Sequence, residues 1–287
     1  MGTNWSLTAY LPSSLVPNQT TPVLQPCFDL VIDQMSTWNT TSFIHQYNCA
    51  DPGTVFTPPD AFLTVWKEAV AIANASNGAF NPCLGGLTRS LGFGPETGPA
   101  LSSALATSWT GDPALQDNGN LLQPGCVELD LSAIAKGFAV DLCAQALEQA
   151  GIFSFLMEIG GEYVARGVHP DTSPYWLDIE TAAANAPCYR LAACNVAIAT
   201  SGDLYKRIGD TTHIHAPSFS GYKQAYASSV TVIARTCMQA DGWATALYAA
   251  GHEGLALADK NNIAALFQKT DGSADVSVAL KKYLEED

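Results

Sequence analysis

The stretch VELDLSAIAKGFAVDLCAQALEQAG, Val127 to Gly151, decides how the rest of the chain is read. VELDL is strand-like. SAIAKGFAVDLCAQALEQAG then sets Ile134, Phe138 and Leu142 on one helical face, with Gly151 as the C-terminal stop. Asp130 ends the strand, Ser132 can cap the helix behind it, and Lys136 projects from the first turn. A helix N-terminus offers unpaired N–H groups and partial positive charge, which suit phosphate. Gly137 costs a helix interior about 1 kcal/mol relative to alanine, so something is expected to approach the backbone closely. A surface ion pair between Asp130 and Lys136, with Gly137 serving helix packing, explains the same residues and stands beside the ligand-binding reading.

Working outward, FLMEI, EYVARGV, YWLDIE and VAIAT read as short strands, and SSVTVIA as another, rich in β-branched residues. A helix follows from about Met238 to Ala250, stopped by Gly251. A short helix (Glu253 to Asp259), a strand (Ile263 to Gln268) and a Thr270-Asp271-Gly272 turn complete that half. On the other side, a strand from Trp5 to Tyr10 precedes a proline-bearing loop from Pro12 to Pro26. The helix CFDLVIDQMSTW carries Phe28, Val31, Ile32 and Met35 on one face, and Phe62 to Ala75 forms a second helix ending at Asn77-Gly78. Gly85 to Gly125, rich in Gly, Pro and Ser, reads as loop with a short helix near Leu101 to Thr107. Strands run in sequence between isolated helices without strict βαβ alternation. The pattern predicts an α+β fold, largely antiparallel sheets with packed helices, and not a Rossmann fold. With 287 residues, one domain over 1–287 is expected, or two intimate subdomains, 1–125 and 126–287.

The formal net charge of −14 argues against nucleic acid and against an anionic membrane as partners. It leaves a phosphate ligand open, because a divalent cation can supply the positive charge. No apolar run is long enough to cross a bilayer. MGTNWSLTAYLP lacks a basic n-region and an apolar h-region. The chain as it stands therefore reads as cytoplasmic, or as periplasmic if an export signal has been removed, and a membrane enters only through an anchor outside this sequence. Of eight cysteines none forms a Cys-x-x-Cys pair, so zinc is a poor reading. Cys143 reads as a core residue. Cys188 and Cys194 are the best candidates for a bridge, though free thiols are the preferred expectation.

Four further clusters could carry chemistry. In MQADGWATALYAAG, Asp241 and Thr245 stand at i and i+4 and present two oxygens of the kind Mg²⁺ prefers. The alternative is a first-turn acid facing the helix dipole and a threonine bonded back to its own helix. In THIHAP, His213 and His215 alternate, which on a strand points both to one face. A metal pair, a single base near a ligand and a solvent-facing pair are all open there. Gly160-Gly161 in EIGGEYVARG reads as a tight reversal. GAFNPCLGGL, Gly78 to Leu87, is a loop with an aromatic and an amide.

Taken together and in order, these stretches resemble the FAD:protein FMN transferase family, also called ApbE, whose architecture is T-fold-related. MGTNW, MSTWNTTSFIHQYN, GAFNPCLGGLTRSLGFG, ELDLSAIAKGFAVD, FLMEIGGEYVARG, SGDLY…HIHAP…SGY and SVTVIARTCMQADGWATALYAAG carry the likeness nearly end to end. The resemblance implies a Mg²⁺-dependent transfer. FAD is split, FMN is joined through its phosphate to a Thr or Ser hydroxyl of an acceptor flavoprotein, and AMP leaves. It places FAD contacts on Met1, Trp38, Ala79, Phe80, Asn81, Asp130, Lys136, His213 and His215. It places metal ligands on Ala133, through its carbonyl, and on Asp241 and Thr245. His213 becomes the candidate base and Asp241 the metal-side catalytic residue, with Trp38 and Phe80 against the flat rings. The sequence departs from the family pattern at Asn81, where the motif has an acid, at Ala216, and at Phe219 to Lys223. An FAD pyrophosphatase giving FMN and AMP, or a non-catalytic FAD-binding protein, are the alternatives.

Overall fold

The computed structural model describes residues 2–95, 109, 111–112, 114–125, 127–179, 188–202, 207–208, 211–212, 226–269 and 271–281. The strands are β1 (Trp5–Ala9), β2 (Val55–Phe56), β3 (Leu121–Leu122), β4 (Phe155–Ile159), β5 (Glu162–Arg166), β6 (Tyr175–Ile179) and β7 (Tyr189–Ala193). They continue with β8 (Ala197–Gly202), β9 (Arg207–Ile208), β10 (Thr211–Thr212), β11 (Ser229–Ala234), β12 (Ala264–Gln268) and β13 (Ala274–Val276). The helices are α1 (Thr20–Met35), α2 (Phe43–Asn48), α3 (Asp60–Ala75), α4 (Gly85–Ser90), α5 (Ala135–Gln149), α6 (Cys237–Ala249), α7 (Gly254–Lys260) and α8 (Val278–Lys281).

A seven-stranded sheet in the order β1-β4-β5-β8-β11-β12-β13 forms the frame, and every ladder in it is antiparallel. Alternation along the strands splits the apolar residues between two faces. Met157, Val164, Ala199, Val232 and Phe267 point to the side covered by α1, α3, α5 and α6. Ala165, Ile198, Ile233 and Leu266 point to the other side, where the β6–β7 hairpin brings Tyr175 and Leu177 and α8 brings Ala279 and Leu280. The expectation of α+β with largely antiparallel sheets therefore holds. Gly160 and Gly161 both have positive φ, 64° and 97°, and close a two-residue turn between β4 and β5. Cys143 is buried in the core, and Cys188 and Cys194 are free thiols.

Several expectations are corrected. The loop reading of Pro12 to Pro26 is too long, because α1 begins at Thr20 and carries Pro26 inside it. Leu24 extends the Phe28–Val31–Met35 face by one turn, and its burial outweighs the lost backbone hydrogen bond. Gly85-Gly86 begins helix α4 instead of continuing a loop; a Cβ at Gly85 would lie 2.9 Å from the Glu128 and Leu129 carbonyl oxygens, so packing selects the glycine. VELDL is not a strand; Glu128 makes only an isolated parallel bridge to Leu84. The helix behind it starts at Ala135, with Ile134 at the N-cap and no side-chain cap, so Ser132 does not cap it. Strand β7 was not anticipated; it pairs with β6. The helix expected near Leu101 to Thr107 lies outside the described residues.

Helices α5 and α6 cross in close backbone contact. A Cβ built on Gly137 would lie 2.2 Å from the Cys237 carbonyl oxygen and 2.8 Å from Asp241 Cβ. Helix packing is thus the reason for this glycine. Gly151, with φ of +81°, is required for a different reason: it is the left-handed residue after α5, and nothing lies within 4 Å of its virtual Cβ. Gly151→Ala is expected to cost about 1–2 kcal/mol from backbone strain alone. Gly137→Ala is expected to cost about 3 kcal/mol or more, because backbone must move. Urea unfolding of the two variants checks the order; equal losses would remove the close crossing as the cause.

Candidate functional site

The site is built where β5 begins, β8 ends and α5 and α6 cross. Glu162 is the first residue of β5, directly after the diglycine turn, and it shares the helical face of the sheet with Val164. Lys136, in the first turn of α5, reaches across and donates to Glu162 Oε1. Its ammonium also lies 3.8 Å from Asp241 Oδ1 on α6. The other oxygen, Asp241 Oδ2, accepts the Gly137 N–H at 2.9 Å. Segments far apart in the chain thus converge on one buried charge cluster. Glu162 and Asp241 are each 3% exposed. Burial works against the charged ammonium, but the Asp241 and Glu162 carboxylates outweigh it and hold Lys136 well above lysine's ordinary value. Lys136 is a fixed cation here, not a base.

One helical turn along α6, the hydroxyls of Thr245 and Ser201 on β8 are 3.1 Å apart. Thr245 is 2% exposed. It turns its hydroxyl toward the sheet end and so toward the side where Asp241 stands. Ala133 occupies the turn before α5, just ahead of Lys136, and is 5% exposed. Among the described residues no group of three or more His, Cys, Asp or Glu gathers as a metal cage. A cation here would instead take one carboxylate, one hydroxyl, a backbone carbonyl and oxygens of its ligand. That all-oxygen set fits a hard divalent ion.

Asp130 does not pair with Lys136, and the surface ion pair is ruled out. Asp130 is 8% exposed. Its Oδ1 accepts the Ser132 N–H at 2.9 Å, and its own N–H donates to the Pro82 carbonyl at 2.8 Å. This ties the α5 entry to the Ala79–Cys83 loop. In that loop Asn81 Oδ1 accepts the Cys83 N–H at 2.9 Å, an Asx turn that an aspartate would also make. The change from acid to amide therefore removes charge but keeps the turn. Phe80 is 2% exposed and packed in the core, so its ring is not an open stacking face; what this position can present is backbone. Trp38, 65% exposed, is the open aromatic. It borders a cleft of about 470 Å³, open mouth included, whose walls include Arg89, Glu128, Asp130 and Ser132. Met1, His213 and His215 lie outside the described residues.

Two polar partners of the site escaped sequence reasoning. The sequence reading leaves Glu162 as the first residue of the strand EYVARGV, and Ser201 just past the strand VAIAT. The signal for Glu162 was present in its parity: it falls on the same strand face as Val164, and a carboxylate on a buried face needs a cation. The charge count predicts an order of effects. Lys136→Met leaves two buried carboxylates without their ammonium and is expected to cost about 3–5 kcal/mol. Glu162→Gln leaves Lys136 with Asp241 and is expected to cost about 1–2 kcal/mol. Denaturant unfolding at neutral pH checks this; the reverse order would show that Lys136 is not the centre of the cluster.

The ApbE family model matches residues 1–267. The FAD:protein FMN transferase of Vibrio cholerae is 33% identical over 94% of this chain and 86% of its own length. That of Haemophilus influenzae is 31% identical over 88% and 80%. Among solved structures, the flavin transferase ApbE from Vibrio cholerae superimposes with a TM-score of 0.86 at 29% identity, over 99% of this chain and 96% of that one. The apo form of the Pseudomonas stutzeri flavinyl transferase ApbE does so with a TM-score of 0.85 at 26% identity, over 99% and 95%. Motif order, sheet topology and end-to-end similarity agree, and the chain belongs to the ApbE family.

Proposed function

We propose that this protein is an FAD:protein FMN transferase that uses Mg²⁺ to join FMN, through its phosphate, to a Thr or Ser hydroxyl of an acceptor flavoprotein, releasing AMP. The observation that carries the reading is the convergence of Lys136, Asp241 and the Gly137 N–H at the α5 entry, together with a cleft, bordered by an exposed tryptophan, whose walls include Asp130 and Ser132 of the segment leading into α5. The curated relatives named FAD:protein FMN transferase support the activity.

In this reading Asp241, Thr245 and the Ala133 carbonyl would hold Mg²⁺, which when bound would supply positive charge to the diphosphate oxygens and ease departure of AMP. The remaining work falls to the chain. Lys136, kept protonated by its two carboxylates, adds a second fixed positive charge toward the diphosphate. The Gly137 N–H orients Asp241. Trp38 takes a flat ring of the dinucleotide, and Asp130, Ala79, Phe80 and Asn81 line its path, Phe80 through its backbone. The acceptor hydroxyl oxygen attacks the phosphorus on the flavin side. The bond from that phosphorus to the bridging oxygen breaks, and the oxygen leaves with AMP. The hydroxyl proton passes to a base, for which His213 is the candidate, with His215 beside it in the sequence as a further contact.

The test is incubation with FAD, Mg²⁺ and a flavoprotein acceptor, followed by intact-mass measurement of the acceptor. An FMN adduct is expected, with an equal amount of AMP. Asp241→Ala is expected to lower the rate at least a thousandfold, roughly 4 kcal/mol of transition-state stabilisation. Chelation of Mg²⁺ is expected to do the same. FMN and AMP released without any adduct would replace the transferase reading with a pyrophosphatase, and unaltered activity in the Asp241 variant would move the site elsewhere.

A further inference from the structure

We propose that Asp141 is a positioning residue for the cation-binding face of α6, acting as one half of a reciprocal clasp between α5 and α6; the inference rests on the functional reading above. Asp141 lies one turn beyond Gly137 on the same side of α5. Its Oδ1 accepts the Cys237 N–H at 2.8 Å, and its Oδ2 accepts the Met238 N–H at 2.9 Å. These are the first two residues of α6, whose N–H groups have no acceptor within their own helix. The local cap does not compete for them, because the Thr236 hydroxyl takes the third, from Gln239. One turn away the exchange is reversed: Asp241 of α6 accepts the Gly137 N–H of α5. Residue 137 is matched with 241, and 141 with 237 and 238. Each helix lends a carboxylate to the main chain of the other.

The geometry gives this arrangement more than a capping role. Apolar packing holds α6 on the sheet, but the hydrogen bond at Gly137 ties it to α5 at one point only. A second contact one turn along fixes both position and rotation, and with them the direction in which Asp241 and Thr245 project. The clasp also takes its capping carboxylate from the helix that follows the Ala133 carbonyl and carries Lys136. Asp141 therefore sets the two halves of the donor set relative to each other, where a cap from α6's own loop would not. The carboxylate also meets the positive end of the α6 dipole. Burial pushes the Asp141 carboxyl up, and the two N–H donors pull it back.

The test is titration of Mn²⁺, as a probe of the cation site, into wild type, Asp141→Asn and Leu147→Ala, each with FAD at saturation. Asparagine keeps the volume but turns one acceptor into an amide N–H₂, so one of the two α6 N–H groups loses its partner. Outer-shell partners of this kind carry about ten- to hundredfold in metal affinity. Asp141→Asn is expected to weaken Mn²⁺ by that factor, with the KM for FAD within about twofold. Leu147→Ala removes a fully buried core side chain from the same helix and is expected to lower the Tm at least as much while leaving Mn²⁺ affinity unchanged. Wild-type affinity in Asp141→Asn, or equal weakening in both variants, would reduce Asp141 to a structural cap. No Mn²⁺ binding by wild type would overturn the functional reading and the inference with it. Should Asp141→Asn not fold, hydrogen exchange of the wild type decides. Mg²⁺ is expected to slow exchange at Gly137, Cys237 and Met238 together, and slowing at Gly137 alone would overturn the clasp.

Discussion

The structure depends on one close approach of backbone to backbone. Where α5 meets α6, Gly137 has no side chain, and the Cys237 carbonyl occupies the space a Cβ would need. Only this lets the Gly137 N–H reach an Asp241 oxygen. From that bond the rest follows in order. Asp241 comes beside Lys136, Lys136 meets Glu162 at the start of β5, and Thr245 faces Ser201 at the end of β8. The central strands β5, β8, β11 and β12 are covered on both faces, and the polar groups gather where β5 begins and β8 ends.

The charge cluster is poorly explained as a device for stability. Taking two carboxylates and an ammonium out of water costs several kcal/mol per ion, and apolar residues of similar volume would often do as well. Its physical sense lies in pre-organisation. A lysine held between two acids stays protonated and keeps its position, and a carboxylate held by a main-chain N–H does not have to be reoriented when a ligand arrives. In the proposed function, the cost to folding is the counterpart of a site whose charges are already in place.

Much of this was legible from residue patterns. Strands β4, β5 and β11 and helices α3, α5 and α6 were readable within a residue or two: β4 by its alternation, β11 by its run of β-branched residues, and the helices by their apolar spacing and terminal glycines or Asn-Gly. The rest depended on contacts a linear reading does not contain. Gly85 sits in a helix because the 128–129 backbone crowds it. VELDL has the composition of a strand but finds only a bridge partner. Pro26 reads as a breaker, yet Leu24 and Phe28 bury on either side of it. At the cluster, spacing and local chemistry marked Asp241, Thr245 and Lys136 as candidates beside plain structural alternatives, and the family resemblance singled them out. Glu162 did not, because its partner lies on another element. Phe80 illustrates the opposite failure: an aromatic in a motif suggests stacking, and burial at 2% assigns its ring to the core.

The ratio of one ammonium to two carboxylates also bears on how an anionic molecule first arrives. The cluster is electronegative until a cation joins it, and the protein as a whole carries −14. A dinucleotide with a charged diphosphate is therefore repelled at long range, and the attraction begins only at short distance. Dissolved ions screen that repulsion over about 8 Å at physiological strength. Encounter is therefore helped by the ionic atmosphere of the medium, the reverse of what holds for proteins that draw phosphates in with a basic surface.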